Sequence, residues 1–131
     1  MSVNIKVLVA DDHTLYRDAL IKVLHRSGFT VIATARNEAE LMSFIHPLHL
    51  PDIAIISYKT TRPATLASAR WIKQHYPQVK VLVMTLFNYL VPIDTFMQTG
   101  IEGVVIKARA DPRQIVHALK LIYKGELFYA G

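Results

Sequence analysis

Five short apolar runs, each followed by a stretch with helical spacing, restrict this chain to very few architectures. The runs cover residues 5–10, 30–35, 52–57, 79–85 and 103–107. They are continuous rather than alternating: Ile53, Ala54, Ile55 and Ile56 stand in succession. Strands of that kind are buried on both faces, as in a parallel sheet covered by helices. Right-handed crossovers then predict an α/β fold, a doubly wound sheet of five parallel strands with five helices. The order 2-1-3-4-5 suits five such units and puts a crevice at the carboxyl ends of strands 1 and 3.

The helical segments carry their own punctuation. Residues 14–26 place Leu15, Ala19, Val23 and Leu24 on one face, with Gly28 as a stop. Asn37 and Glu40 have capping-box spacing ahead of Leu41, Phe44 and Ile45. Residues 64–76 carry Leu66, Ala69, Ile72 and Tyr76 on one side. Pro92 opens a short helix with Ile93, Phe96 and Met97, ending at Gly100. Asp111 caps the last helix and Pro112 opens it, with Ile115, Ala118, Leu119 and Ile122 at i, i+3, i+4 and i+7.

Composition narrows the function. At 52% hydrophobic, 131 residues suffice for one core, and no internal linker divides them. Without cysteine there is neither a disulfide frame nor a thiolate zinc site, which fits the cytoplasm. No apolar run approaches the roughly 18 residues of a membrane span, so no membrane partner is expected. The amino terminus runs directly into a strand, so no signal peptide is read there. The net charge is +5, but the fifteen Lys and Arg are scattered, as on a solvated basic surface. His46-x-x-His49 lies in a proline-bounded loop without a third ligand and reads as surface. There is no Gly-rich phosphate loop and no Gly-x-Ser-x-Gly elbow.

Four of the five strands end in polar or charged groups: Asp11-Asp12, Ser57, Thr85 and Lys107. The strand order brings these ends together. Paired carboxylates beside a hydroxyl and an ammonium suit a magnesium and phosphate site, because hard cations take oxygen ligands. Singly, each has a plainer reading: an N-cap pair, a strand residue, an exposed strand end.

The succession VLVADDHTLYRDAL, PDIAIIS, VLVMT and GVVIK resembles the receiver domain of NarL/FixJ-type response regulators, over essentially the whole chain. The resemblance implies a flavodoxin-like fold for one receiver domain spanning 1–131. It implies magnesium held by Asp11 and Asp12, and phosphoryl contacts from Thr85 and Lys107. His13 matches a common family residue and reads as structural.

The departures touch several functions at once. The phosphoacceptor aspartate falls at Ser57, and a serine hydroxyl is not a ready nucleophile without an adjacent base. Losing that carboxylate leaves magnesium binding weak or vestigial. Leu86 replaces a small residue and would crowd the mouth of the site. Val104 holds the aromatic switch position, Thr60-Thr61 replaces a Met-Pro turn, and Thr65 a glycine. The resulting expectation is a degenerate receiver, a regulatory interaction module and not an enzyme. Two rivals are a working receiver modified at Ser57 or another acceptor, and a small magnesium-dependent phosphohydrolase using Asp11 and Asp12.

Two apolar features read as interfaces. The last helix is apolar beyond one stripe, with Val116, Leu121 and Tyr123 flanking its core set, which points to a symmetric homodimer. Phe87, Tyr89 and Leu90, beside Leu86, either fold inward or form a second surface. The resembled family implies a histidine kinase or other regulatory protein as partner, and a C-terminal helix-turn-helix. The chain is then either a stand-alone domain or, the favoured expectation, the receiver of a longer transcription regulator, with residues 125–131 as the start of a linker towards a DNA-binding domain absent from this chain.

Overall fold

In the computed structural model, strand and helix alternate as β1 (Ile5–Asp11), α1 (Thr14–Arg26), β2 (Phe29–Ala35), α2 (Glu38–Phe44), β3 (Ile53–Ser57), α3 (Ala64–His75), β4 (Lys80–Thr85), α4 (Ile93–Met97), β5 (Gly103–Ile106), α5 (Pro112–Tyr123) and β6 (Phe128–Ala130). The structure describes residues 4–57, 64–85, 93–107 and 111–130. Thr60, Thr61, Leu86, Phe87, Tyr89, Leu90 and Pro92, all singled out above, lie outside the described residues.

All strand pairs are parallel, in the order β2-β1-β3-β4-β5-β6. The pleat divides β1 between two cores. Val7 and Val9 face α1 and α5, packing with Leu20, Leu24, Ile115 and Leu119. Leu8 and Ala10 face the other helices, packing with Leu41, Ala69, Ile72 and Phe96. The burial of Ile115, Ala118, Leu119 and Ile122 on α5 agrees with their spacing. Asp111 and Gln114 close a reciprocal capping box at its start.

Four details differ from the sequence reading. The sheet has a sixth strand where a linker was expected. Gly125, at φ 97°, ends α5 in a conformation costly for a side chain and turns the chain back along β5. The backbone N–H of Phe128 then donates to the Glu102 carbonyl at 2.9 Å, and the Tyr129 hydroxyl donates to the Ile101 carbonyl. Gly103 permits this close approach: a Cβ there would stand 2.6 Å from Ile122 Cδ1 and 2.9 Å from the Phe128 carbonyl oxygen.

Helix α1 is rotated from the expected face. Leu15 is 78% exposed and Ala19 is also exposed, while Leu20 and Leu24 are buried beside half-buried Tyr16 and Val23. Both stripes share Val23 and Leu24, and packing against β1 and α5 selects between them. At α2, Asn37 accepts from the Glu40 N–H, but the Glu40 carboxylate turns to the backbone N–H and guanidinium of Arg36 rather than closing a box. Phe44, expected on the apolar face, is exposed.

Candidate functional site

The carboxyl ends of β1, β3, β4 and β5 meet at one end of the sheet, and the side chains there are buried although polar. Asp11, Ser57 and Thr85 are inaccessible or nearly so, and Lys107 is 8% exposed. Burying a charge is costly unless it is paired. Asp11 and Lys107 provide that pairing: the ammonium donates to Asp11 Oδ2 at 3.1 Å. The other oxygen, Oδ1, accepts the backbone N–H of His13 at 2.8 Å, and the Asp11 carbonyl accepts from the Arg17 guanidinium at 3.1 Å.

Tyr16 completes the cluster. Its ring centroid lies 3.9 Å from Lys107 Nζ, a cation–π contact in a largely desolvated place. Burial, then the neighbouring Asp11 carboxylate, pushes the Tyr16 hydroxyl up to about 12 from 10.0. Sequence reasoning missed Tyr16, because it places the residue off the chosen face of α1.

Ser57 occupies the β3 position directly paired with Asp11. Its Oγ is buried and has no hydrogen-bond partner among the described residues, and the same holds for Thr65 Oγ1 and Ser68 Oγ on α3. Asp12 is exposed, so the two acids point to different environments. The N-cap of α1 is His13, whose backbone N–H is the group that Asp11 Oδ1 accepts. Lys107 is not an exposed strand end. Val104 is buried in the core cluster beneath α3 and α4.

On α5, Val116, Leu121 and Tyr123 are all half-buried. Val116 and Tyr123 rest on the core of their own domain, as does Phe128 of β6. Part of the apolar surplus on this helix therefore covers the monomer's own core. His46 and His49 have ring centroids 6.0 Å apart, and His46 Nδ1 accepts the Leu48 N–H. No group of three or more His, Cys, Asp or Glu placed to hold a metal occurs among the described residues.

Residues 7–120 match the response regulator receiver domain. The chain belongs to the response regulator receiver family. Oxygen regulatory protein NreC of Staphylococcus epidermidis is 26% identical over 126 residues, covering 94% of this receiver and 56% of NreC. The chain thus spans little more than half the length of the curated relatives it matches. The signal receiver domain of the response regulator NarL from Mycobacterium tuberculosis superposes with a TM-score of 0.82 at 25% identity, covering 95% of this chain and all of that one. The apo receiver domain of RcsB from Salmonella enterica serovar Typhimurium gives 0.85 at 24% identity, covering 97% and 93%.

Receiver domains commonly bind magnesium at the acceptor site. Of the two acids expected to hold it, Asp11 is buried against Lys107 and Asp12 is exposed. Both Asp11 oxygens are engaged, one by an ammonium, and the position paired with Asp11 offers a neutral hydroxyl. Among the described residues no helix is long and apolar enough to cross a membrane.

Proposed function

We propose that this receiver has left phosphoryl transfer and works as a non-enzymatic regulatory module through protein association. The observation that carries the reading is Ser57: a buried hydroxyl in place of a carboxylate, with no hydrogen-bond partner among the described residues, at the β3 position paired with Asp11. A serine needs a base to become a nucleophile. The adjacent carboxylate is already committed to Lys107 and to the His13 N–H. Magnesium binding is accordingly weak.

The same cluster supplies a fixed state. Asp11 is ion-paired to Lys107, and Lys107 lies over the Tyr16 ring. Modification of Ser57 by a kinase is disfavoured by its complete burial, and a magnesium-dependent phosphohydrolase by the engaged oxygens of Asp11.

The proposed setting is cytoplasmic two-component signalling and transcription regulation. A homodimer formed through α5 is the proposed state, and a histidine kinase or other regulatory protein the proposed partner. DNA contact belongs to a region other than the receiver. RcsB, which shares the fold, is seen as dimers bound to DNA. The test is solution mass by light scattering, with and without acetyl phosphate and magnesium. The expected result is one concentration-dependent mass curve under both conditions. A shift in association on adding the phosphodonor contradicts the proposal.

A further inference from the structure

Six large hydrophobic side chains are exposed among the described residues, and three of them, Ile32, Phe44 and Leu48, line a single pocket. It lies between β2 and the end of α2, with a volume of about 400 Å³. Lys6 of β1 also lines it, roughly 16 Å along the strand from Asp11 at about 3.3 Å per residue. The pocket is therefore separate from the cluster described above.

The backbone of β2 is irregular at this place. Val31 pairs with Val7 and Ala33 with Leu8, so Ile32 is an extra residue in the ladder. Consecutive strand residues ordinarily face opposite sides of a sheet. Here Ile32 and Ala33 both line the pocket. A bulge of this kind re-aims a side chain, and bulges concentrate beside binding sites. It also interrupts the β2 edge as a template for pairing with another strand.

The pocket's chemistry is one-sided. It combines the side chains of Ile32, Phe44, Leu48 and Leu50 with polar surface, and its two ionisable residues, Lys6 and His49, are both basic. Its volume falls within the range of small-ligand sites, about 300–1,000 Å³, where apolar side chains meet a few polar groups that fix orientation. We infer that this pocket binds a small apolar acid, a medium-chain carboxylate whose hydrocarbon body covers Ile32, Phe44 and Leu48 while its head group meets Lys6 and His49. Such a ligand gives the receiver an input that does not pass through Ser57. The inference does not depend on the phosphorylation reading, since none of the pocket's residues belongs to that site.

The test is a titration of the isotope-labelled 131-residue chain with decanoate, below its micelle concentration, followed by amide NMR, with decanol and butyrate as comparison probes. Saturable shifts centred on Ile32, Ala33 and Leu50 are expected. Decanol should bind about tenfold more weakly, the worth of one charge-assisted contact, and butyrate should not saturate. Lys6→Gln should bring decanoate down to the decanol level, and Leu48→Glu, at a residue 79% exposed and so safe for folding, should abolish saturation. The inference is overturned if the shifts scatter over the molecule, if decanol binds as well as decanoate, or if both variants bind like wild type. It is equally overturned if the same amides shift with protein concentration alone, which assigns the surface to a second copy. The same holds if only an acidic, leucine-rich peptide moves them, which assigns it to a protein partner.

Discussion

Lys107 Nζ lies 3.1 Å from Asp11 Oδ2, and the two side chains are only 6% and 0% exposed. This pair joins the end of β1 to the residue after β5 across two intervening strands. Removing one partner leaves the other as an uncompensated buried charge. Lys107→Met is expected to lower the unfolding free energy by about 3–5 kcal/mol in urea titrations. Adding Asp11→Asn should recover much of the loss, because asparagine still accepts the His13 N–H without a charge. A Lys107→Met protein as stable as wild type would mean that the pair is not formed.

Tyr16 gives the cluster a pH signature. Its folded pKa is about 12 against 10.0, so the folded state holds the proton more tightly than the unfolded chain. The associated stability is full below about pH 10 and is lost as pH rises towards 12. Tyr16→Phe should flatten the decline of stability across that window, followed by denaturant titration at each pH. Identical alkaline profiles for the two proteins would contradict the placement of Tyr16.

The unpartnered hydroxyl of Ser57 leads to a linked pair of predictions. Ser57→Ala removes a buried polar group without a partner, so stability should hold or rise by about 1 kcal/mol. Ser57→Asp places a second carboxylate beside Asp11, which should destabilise the metal-free protein. Magnesium should then restore stability and bind at least about tenfold more tightly than to wild type, since one charge contact at about 4 Å is worth on the order of 4 kcal/mol at an effective dielectric near 20, before desolvation. Calorimetry showing equal magnesium affinity for both proteins would refute this account of the site.

Association through α5 can be probed at Leu121 and Tyr123. Both are half-buried, and Tyr123 also rests on the domain's own core. Each large side chain removed from a dimer interface costs roughly 1.5–3 kcal/mol. Leu121→Glu and Tyr123→Glu should shift light-scattering mass towards monomer while circular dichroism confirms that each stays folded. A folded variant that dimerises like wild type moves the interface off α5.

The strand ends and α5 were legible because their signals are local. A continuous apolar run ending in a charge marks a buried parallel strand, and the spacing from Ile115 to Ile122 admits one buried face. The face of α1 was not legible, because two apolar stripes overlap at Val23 and Leu24 and only the packed neighbours choose between them. Three residues, Phe128 to Ala130, are too few for a period, and they become a strand by pairing with β5. Tyr16 and Lys107 are far apart in the chain, so their contact arises only from the fold. The bulge at Ile32 has no marker in a run of β-branched residues.

The most direct measurement is the intact mass of the protein after incubation with acetyl phosphate and magnesium. With Ser57 in the position paired with Asp11, the expected spectrum is that of the unmodified chain, while Ser57→Asp gains one phosphoryl group that hydroxylamine removes. A stoichiometric, hydroxylamine-labile gain of one phosphoryl group on the wild-type chain would contradict the account.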